Sequence, residues 1–208
     1  MSDSRTEDEN KEHGAAATGT AEPPALHSIV RHLQGDPHAF SELIERYQAQ
    51  VYSYLIRCGI NVASRDDMFQ EIFLRVHTSA KQYQPERPFE PWLFTIVANT
   101  TRSFFRKQRV RALIGAAGDN DESINHTTAE HLAQAKETTL WLEDRLRTLP
   151  LAQREVLALC CFKSLSQTDV AAVLGIPLST VKTHLHRGRA ALAKALAQRQ
   201  LQSKKEAA

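Results

Sequence analysis

The sequence predicts an all-α protein made of two small helical domains joined by a flexible linker. Apolar residues recur at helical spacing from Leu26 to about Arg109 and from about Ala129 to Gln200, and no alternating strand pattern competes. Between those stretches, residues 115–128 read GAAGDNDESINHTT, a small, polar, acidic run that cannot fill a core and connects two bodies loosely. The charges sum to a formal +2 over 208 residues but are segregated: 1–12 and 119–144 are acidic, whereas 102–111 and 182–205 hold basic groups and no acid. Two basic stretches flanking an acidic spacer suggest two contacts with a polyanion. At this length and 42% hydrophobic content one sizeable core or two small ones can form, and the linker decides for two.

Residues 1–25 contain almost nothing large and apolar and close on Pro23 and Pro24, which predicts a disordered tail. The first domain is expected over 26–112, with turn signals at 35–37, 59–64 and 85–91. Asp36 before Pro37 makes an N-cap and first-turn pair, and the helix it starts carries Phe40, Leu43, Ile44, Tyr47, Val51 and Leu55. The linker spans 113–130, the second domain 131–200 and a C-terminal tail 201–208.

On a helical wheel of residues 67–77, Met68, Phe69, Ile72, Phe73 and Val76 point inward; Asp67, Gln70, Glu71, Leu74 and Arg75 point outward. A leucine exposed among acids suits a docking surface, although periodicity alone favours a solvated face with one stray Leu. From Pro88 to Arg109 aromatics mix with rising basic charge, a combination that stacks on unpaired bases while holding their phosphates. Trp92, Leu93, Ile96 and Val97 also form a plain apolar stripe; periodicity favours Trp92 as core, and the two roles are compatible.

The run from Ser166 to Arg187 reads as a helix-turn-helix. Ser166 and Asp169 make a capping-box-like start, Val170, Val173 and Leu174 a buried face, and Gly175 a left-handed stop, after which Pro177 and Ser179 restart a helix. In that second helix Val181, Leu185, Gly188 and Leu192 face inward, while Lys182, Thr183, His186 and Arg187 face outward. Lysine and arginine can donate to guanine N7 and O6, and threonine to a base edge or phosphate, in a major groove that admits such a helix.

Other chemistries find little support. Cys58, Cys160 and Cys161 have no disulfide or zinc spacing, and His184 and His186, two apart on a helix, point about 200° from each other and cannot share a metal. No nucleophile, base or metal set converges, so no catalytic residue, cofactor, metal or small-molecule substrate is expected. With neither a signal pattern nor an apolar run near the roughly 18 residues that span a bilayer, a cytoplasmic protein is expected.

Three strings in this order resemble the sigma-70 family, specifically its extracytoplasmic-function group: DDMFQEIFLRVH from Asp66, PWLFTIVANTTRSFFRKQR from Pro91 and LSQTDVAAVLGIPLSTVKTHLHRGR from Leu165. The resemblance runs from about Phe40 to Leu196, linker excepted, as region two followed by region four with no recognisable region three. It implies a sigma factor that binds core RNA polymerase, directs it to promoter DNA and is held inactive by an anti-sigma factor, often at the membrane. It further implies that Asp67, Gln70, Glu71 and Leu74 meet the clamp coiled coil of the largest polymerase subunit. Trp92, Asn99, Arg102, Arg106, Lys107 and Arg109 would engage the minus-ten element, and Lys182, Thr183, His186 and Arg187 would read the minus-thirty-five element as duplex. The sequence departs from the family pattern at Ser103, often Asp, at Gly188, often Ala, and at His184 and His186. The competing reading is a stand-alone regulator with the same helix-turn-helix.

Overall fold

The computed structural model describes residues 24–114, 130–161 and 164–206. Among them are α1 (Pro24–Leu33), α2 (Ala39–Cys58), α3 (Val62–Ser79), a 3-10 turn (Ala80–Gln82), α4 (Phe89–Leu113), α5 (Glu130–Arg147), α6 (Leu151–Leu159), α7 (Gln167–Leu174) and α8 (Leu178–Glu206), with no strand.

Local chemistry explains most boundaries. Asn61 caps α3 by accepting the Ser64 N–H at 3.0 Å, and α2 stops at Gly59, whose φ of +84° is left-handed. Asp36 lies two residues before the cap position, which His38 holds: it accepts the His38 N–H at 2.9 Å and pairs with Arg31, so a turn precedes α2, which starts at Ala39. Of the tail expected at 1–25, residues 1–23 fall outside the described residues and the last two open α1; most of the linker also falls outside them, while α8 continues to Glu206 through the segment expected as a C-terminal tail.

In the first domain α1 to α4 pack Ile29, Leu43, Tyr47, Val51, Leu55, Ile72, Val76, Leu93, Phe94 and Val97 into a buried interior. The second domain buries Val156, Leu159, Val170, Val173, Val181 and Leu185 between α6, α7 and α8. Gly188 belongs to that interior too: a Cβ there would stand 2.8 Å from Leu157 Cδ1, so glycine lets α8 press onto α6.

The two expected domains are present, but they are not separate bodies in this arrangement. Helix α2 packs on α6 and α4 on α7, and the apolar interior is continuous between them. Arg102 on α4 crosses this seam with a forked ion pair to Glu155 on α6, Nε to Oε1 at 2.8 Å and Nη2 to Oε2 at 3.1 Å. Its third nitrogen, Nη1, donates to the Leu174 carbonyl at 3.1 Å. Alongside, the Arg154 guanidinium lies 5.3 Å from the Phe105 ring centroid and against Gly59, where any Cβ would collide with it.

Candidate nucleic-acid and polymerase interface

Three exposed faces emerge from the helices just described. On α3, Asp67, Gln70, Glu71 and Leu74 span an arc of about 100° at helical spacing, opposite the buried Met68, Ile72, Phe73 and Val76. Leu74 is 63% exposed, and Glu71 forms an i,i+4 pair with Arg75 at 2.7 Å. An acidic face bearing a solvent-facing leucine is therefore set out on a rigid helix, as the wheel suggested.

On α4 the buried Leu93, Phe94, Val97 and Thr101 hold the helix down. Trp92, Asn99, Arg102, Arg106 and Arg109 share another arc, also about 100° wide, with Lys107 at its margin. Asn99, Arg106, Lys107 and Arg109 are exposed. Trp92 is half-buried, its ring 5.2 Å from that of Tyr83 and 5.6 Å from that of Phe89, so it serves the core at one edge and the surface at the other. Arg102 differs from the expectation of a free strand-facing cation: the seam takes it up, because Glu155 offers a carboxylate that matches its fork.

Glu155 is 2% exposed, and burial pushes its carboxyl up against the opposing pull of Arg102. Burial likewise raises the nearby Cys58 thiol, which keeps it protonated and unreactive.

The helix-turn-helix has the predicted punctuation. Ser166 Oγ accepts the Asp169 N–H at 3.1 Å, the Ser166 N–H donates to Asp169 Oδ2 at 2.8 Å, and Gly175 ends α7 at φ +64°. Val181 and Leu185 are buried beneath α8, leaving Lys182, Thr183, His186 and Arg187 exposed. Thr183 donates its hydroxyl proton to the Ser179 carbonyl at 2.9 Å, so towards DNA it offers oxygen lone pairs and a methyl group. His184 is half-buried and His186 exposed, in keeping with their divergence on the wheel.

Sequence reasoning missed Arg189 and Gln167, which line an open groove of about 560 Å³ together with Lys182, Leu185 and His186. Arg189 was within reach, since 182, 186 and 189 follow i, i+4, i+7 on one face. Gln167 required the tertiary packing of α7 on α8. Among the described residues no group of three or more His, Cys, Asp or Glu is placed to hold a metal, and no helix is long and apolar enough to cross a membrane.

Comparison with known proteins agrees with this layout. Residues 43–111 match the family model for Sigma-70 region 2 and residues 139–192 that for Sigma-70, region 4. The chain is 30% identical over 165 residues to the RNA polymerase sigma factor CnrH of Cupriavidus metallidurans, covering 76% of this chain and 86% of that one. It is 29% identical over 171 residues to the ECF RNA polymerase sigma factor SigW of Bacillus subtilis, covering 78% and 91%. Among solved structures, CnrH in complex with the cytosolic domain of CnrY superposes with a TM-score of 0.65 at 24% identity, over 85% of this chain and 99% of that chain. The sigma factor RpoE in complex with the anti-sigma factor NepR from Bartonella quintana gives 0.64 at 23%, over 77% and 98%. With both regions matched in order and the helices packed as in solved members, the chain belongs to the sigma-70 family, in its extracytoplasmic-function group.

Proposed function

We propose that this sigma factor docks on core RNA polymerase through Asp67, Gln70, Glu71 and Leu74 and contacts the promoter through two further faces. The α4 arc of Trp92, Asn99, Arg102, Arg106, Lys107 and Arg109 engages the minus-ten element, stacking and phosphate contacts favouring its separated strand. Lys182, Thr183, His186 and Arg187 on α8 read the minus-thirty-five duplex, joined by Arg189. The protein acts as a specificity subunit in the cytoplasm and catalyses nothing itself. An anti-sigma factor is its natural antagonist, by analogy with the complexes in which CnrH and RpoE were solved.

The observation that carries this reading is the coexistence on one chain of an exposed acidic face on α3 and a basic helix-turn-helix face on α8, each within its matched region. Both outward faces are built on helices whose other sides are buried, so surface substitutions should leave the fold intact. Asp67→Lys with Glu71→Lys should abolish capture of the full-length protein by core polymerase while its circular dichroism stays unchanged. Undiminished capture by the double variant would remove the docking face from α3.

A further inference from the structure

Two histidines meet at the junction of α1 and α3, where no role described above uses them. His32 Nε2, near the end of α1, and His77 Nδ1, in the last turn of α3, stand 3.1 Å apart, with ring centroids 5.0 Å apart and planes tilted by 51°. The Phe40 ring, at the start of α2, packs on both, 4.7 Å from the His32 centroid and 5.3 Å from that of His77. Three helices thus hold the two imidazoles with one nitrogen of each converging. His77 is exposed and His32 half-buried, so solvent reaches the pair.

Two nitrogens bound to one zinc at about 2.05 Å stand about 2.9 Å apart at a right angle and about 3.3 Å apart at the tetrahedral angle. The gap between His32 and His77 lies between these limits. It also fits one N–H···N hydrogen bond, so a shared hydrogen closes the pair until a cation takes its place.

We propose that His32 and His77 form a binding site for a divalent cation of the zinc class, which clips α1 to α3 through His32 Nε2 and His77 Nδ1 and completes its coordination with water.

The surroundings suit such a cation. Imidazole binds these metals as the neutral ring. Burial and the neighbouring His77 hold the His32 pKa below its ordinary value, which keeps that ring neutral near neutral pH. When the cation enters, the donor ring carries its hydrogen on its far nitrogen instead, and the neutral pair releases no proton. The adjacent Arg31, whose charge would oppose a cation, is paired with Asp36 and Glu42. Among the described residues no third His, Cys, Asp or Glu joins the pair, so the site is open to water and selects for imidazole-seeking metals over magnesium. Helix α1 has 10 residues, too few to persist on its own, and gains order from such a tie. No spacing along the chain signals the pair, whose members lie 45 residues apart.

Zinc chloride titrated into the full-length protein tests the site. Cys160→Ser and Cys161→Ser go into every protein used, because free thiols compete for zinc. His32→Phe and His77→Phe each keep a ring against Phe40 and remove the nitrogen. Calorimetry should show micromolar binding that each of them weakens by at least about tenfold, the low end of what losing even an outer-shell partner costs. Zinc should raise the melting temperature of the parent and of neither Phe variant, and magnesium should raise none. His186→Phe, the same change at an exposed position on α8, should bind zinc as the parent does. Should a Phe variant lose helical circular dichroism, nitrogen NMR of the parent's histidine rings takes its place: His32 Nε2 and His77 Nδ1 should shift together as zinc is added.

Zinc binding unchanged in both folded Phe variants, no response of the parent, an equal response to magnesium, or shifts confined to other histidines would each overturn the site. Neither polymerase nor DNA is present, so the outcome is independent of the docking and promoter readings.

Discussion

Arginine and lysine on α8 do different work depending on what they reach, and a single substitution separates the cases. A lost bidentate base contact costs about 1 to 3 kcal/mol and relaxes preference at one base pair. A lost phosphate contact weakens all sequences alike and lowers the salt slope by about one. Arg187→Ala and Lys182→Ala should each weaken promoter use, and filter binding across substituted minus-thirty-five elements at several salt concentrations assigns the role. Gly188 is a different kind of residue, defined by what it lacks. An alanine there gains roughly 1 kcal/mol of helix propensity but collides with Leu157, where overpacking costs about 1 to 3 kcal/mol. Gly188→Ala should therefore lower the melting temperature slightly, while Gly188→Leu should lower it strongly. Combined with Leu157→Ala, the Gly188→Ala change should be less damaging than the sum of the two, as measured by a double-mutant cycle. The family resemblance noted alanine as common at this position, and the close approach of α6 and α8 explains how this chain uses glycine instead.

Helices were the most legible feature because their signals are local. The capping box at Ser166 and Asp169, the glycine stop at Gly175 and the inward residues of α3 and α8 all follow from spacing along one helix. Ser166→Ala should therefore destabilise the second domain by about 1 kcal/mol, seen as a lower denaturation midpoint. Boundaries were less legible: Asp36 caps a turn before α2, and α8 persists to Glu206, beyond the point where its Arg199 pairs with Glu137 of α5 at 2.7 Å and covers Trp141. Those partners lie 62 and 58 residues away in sequence, beyond the reach of any periodicity. The same limit applies to Arg102. Its charge and helical face were readable from its neighbours, but its pairing with Glu155, 53 residues away, depends on how two domains meet.

At the scale of the whole molecule, polymerase should set the spacing of the two basic faces on promoter DNA, since two small contacts gain avidity only when their geometry is fixed to match both elements. The α4 arc should also matter most when the strands must separate. On templates already melted at the minus-ten element, Asn99→Ala and Arg106→Ala holoenzymes should recover more activity than on intact duplex, as scored by the yield of run-off transcript. Equal defects on both templates would assign those residues to domain packing or polymerase contact.

The central claim, that this chain confers promoter selection on polymerase through its two matched regions, is tested most directly by run-off transcription of genomic fragments with purified core enzyme. Discrete transcripts should appear when the full-length protein is added, vanish with Asp67→Lys and Glu71→Lys, and change in template preference with Arg187→Ala. Tight, sequence-specific binding to duplex DNA by the protein alone, with no transcript dependent on it, would contradict the account and identify a stand-alone helix-turn-helix regulator.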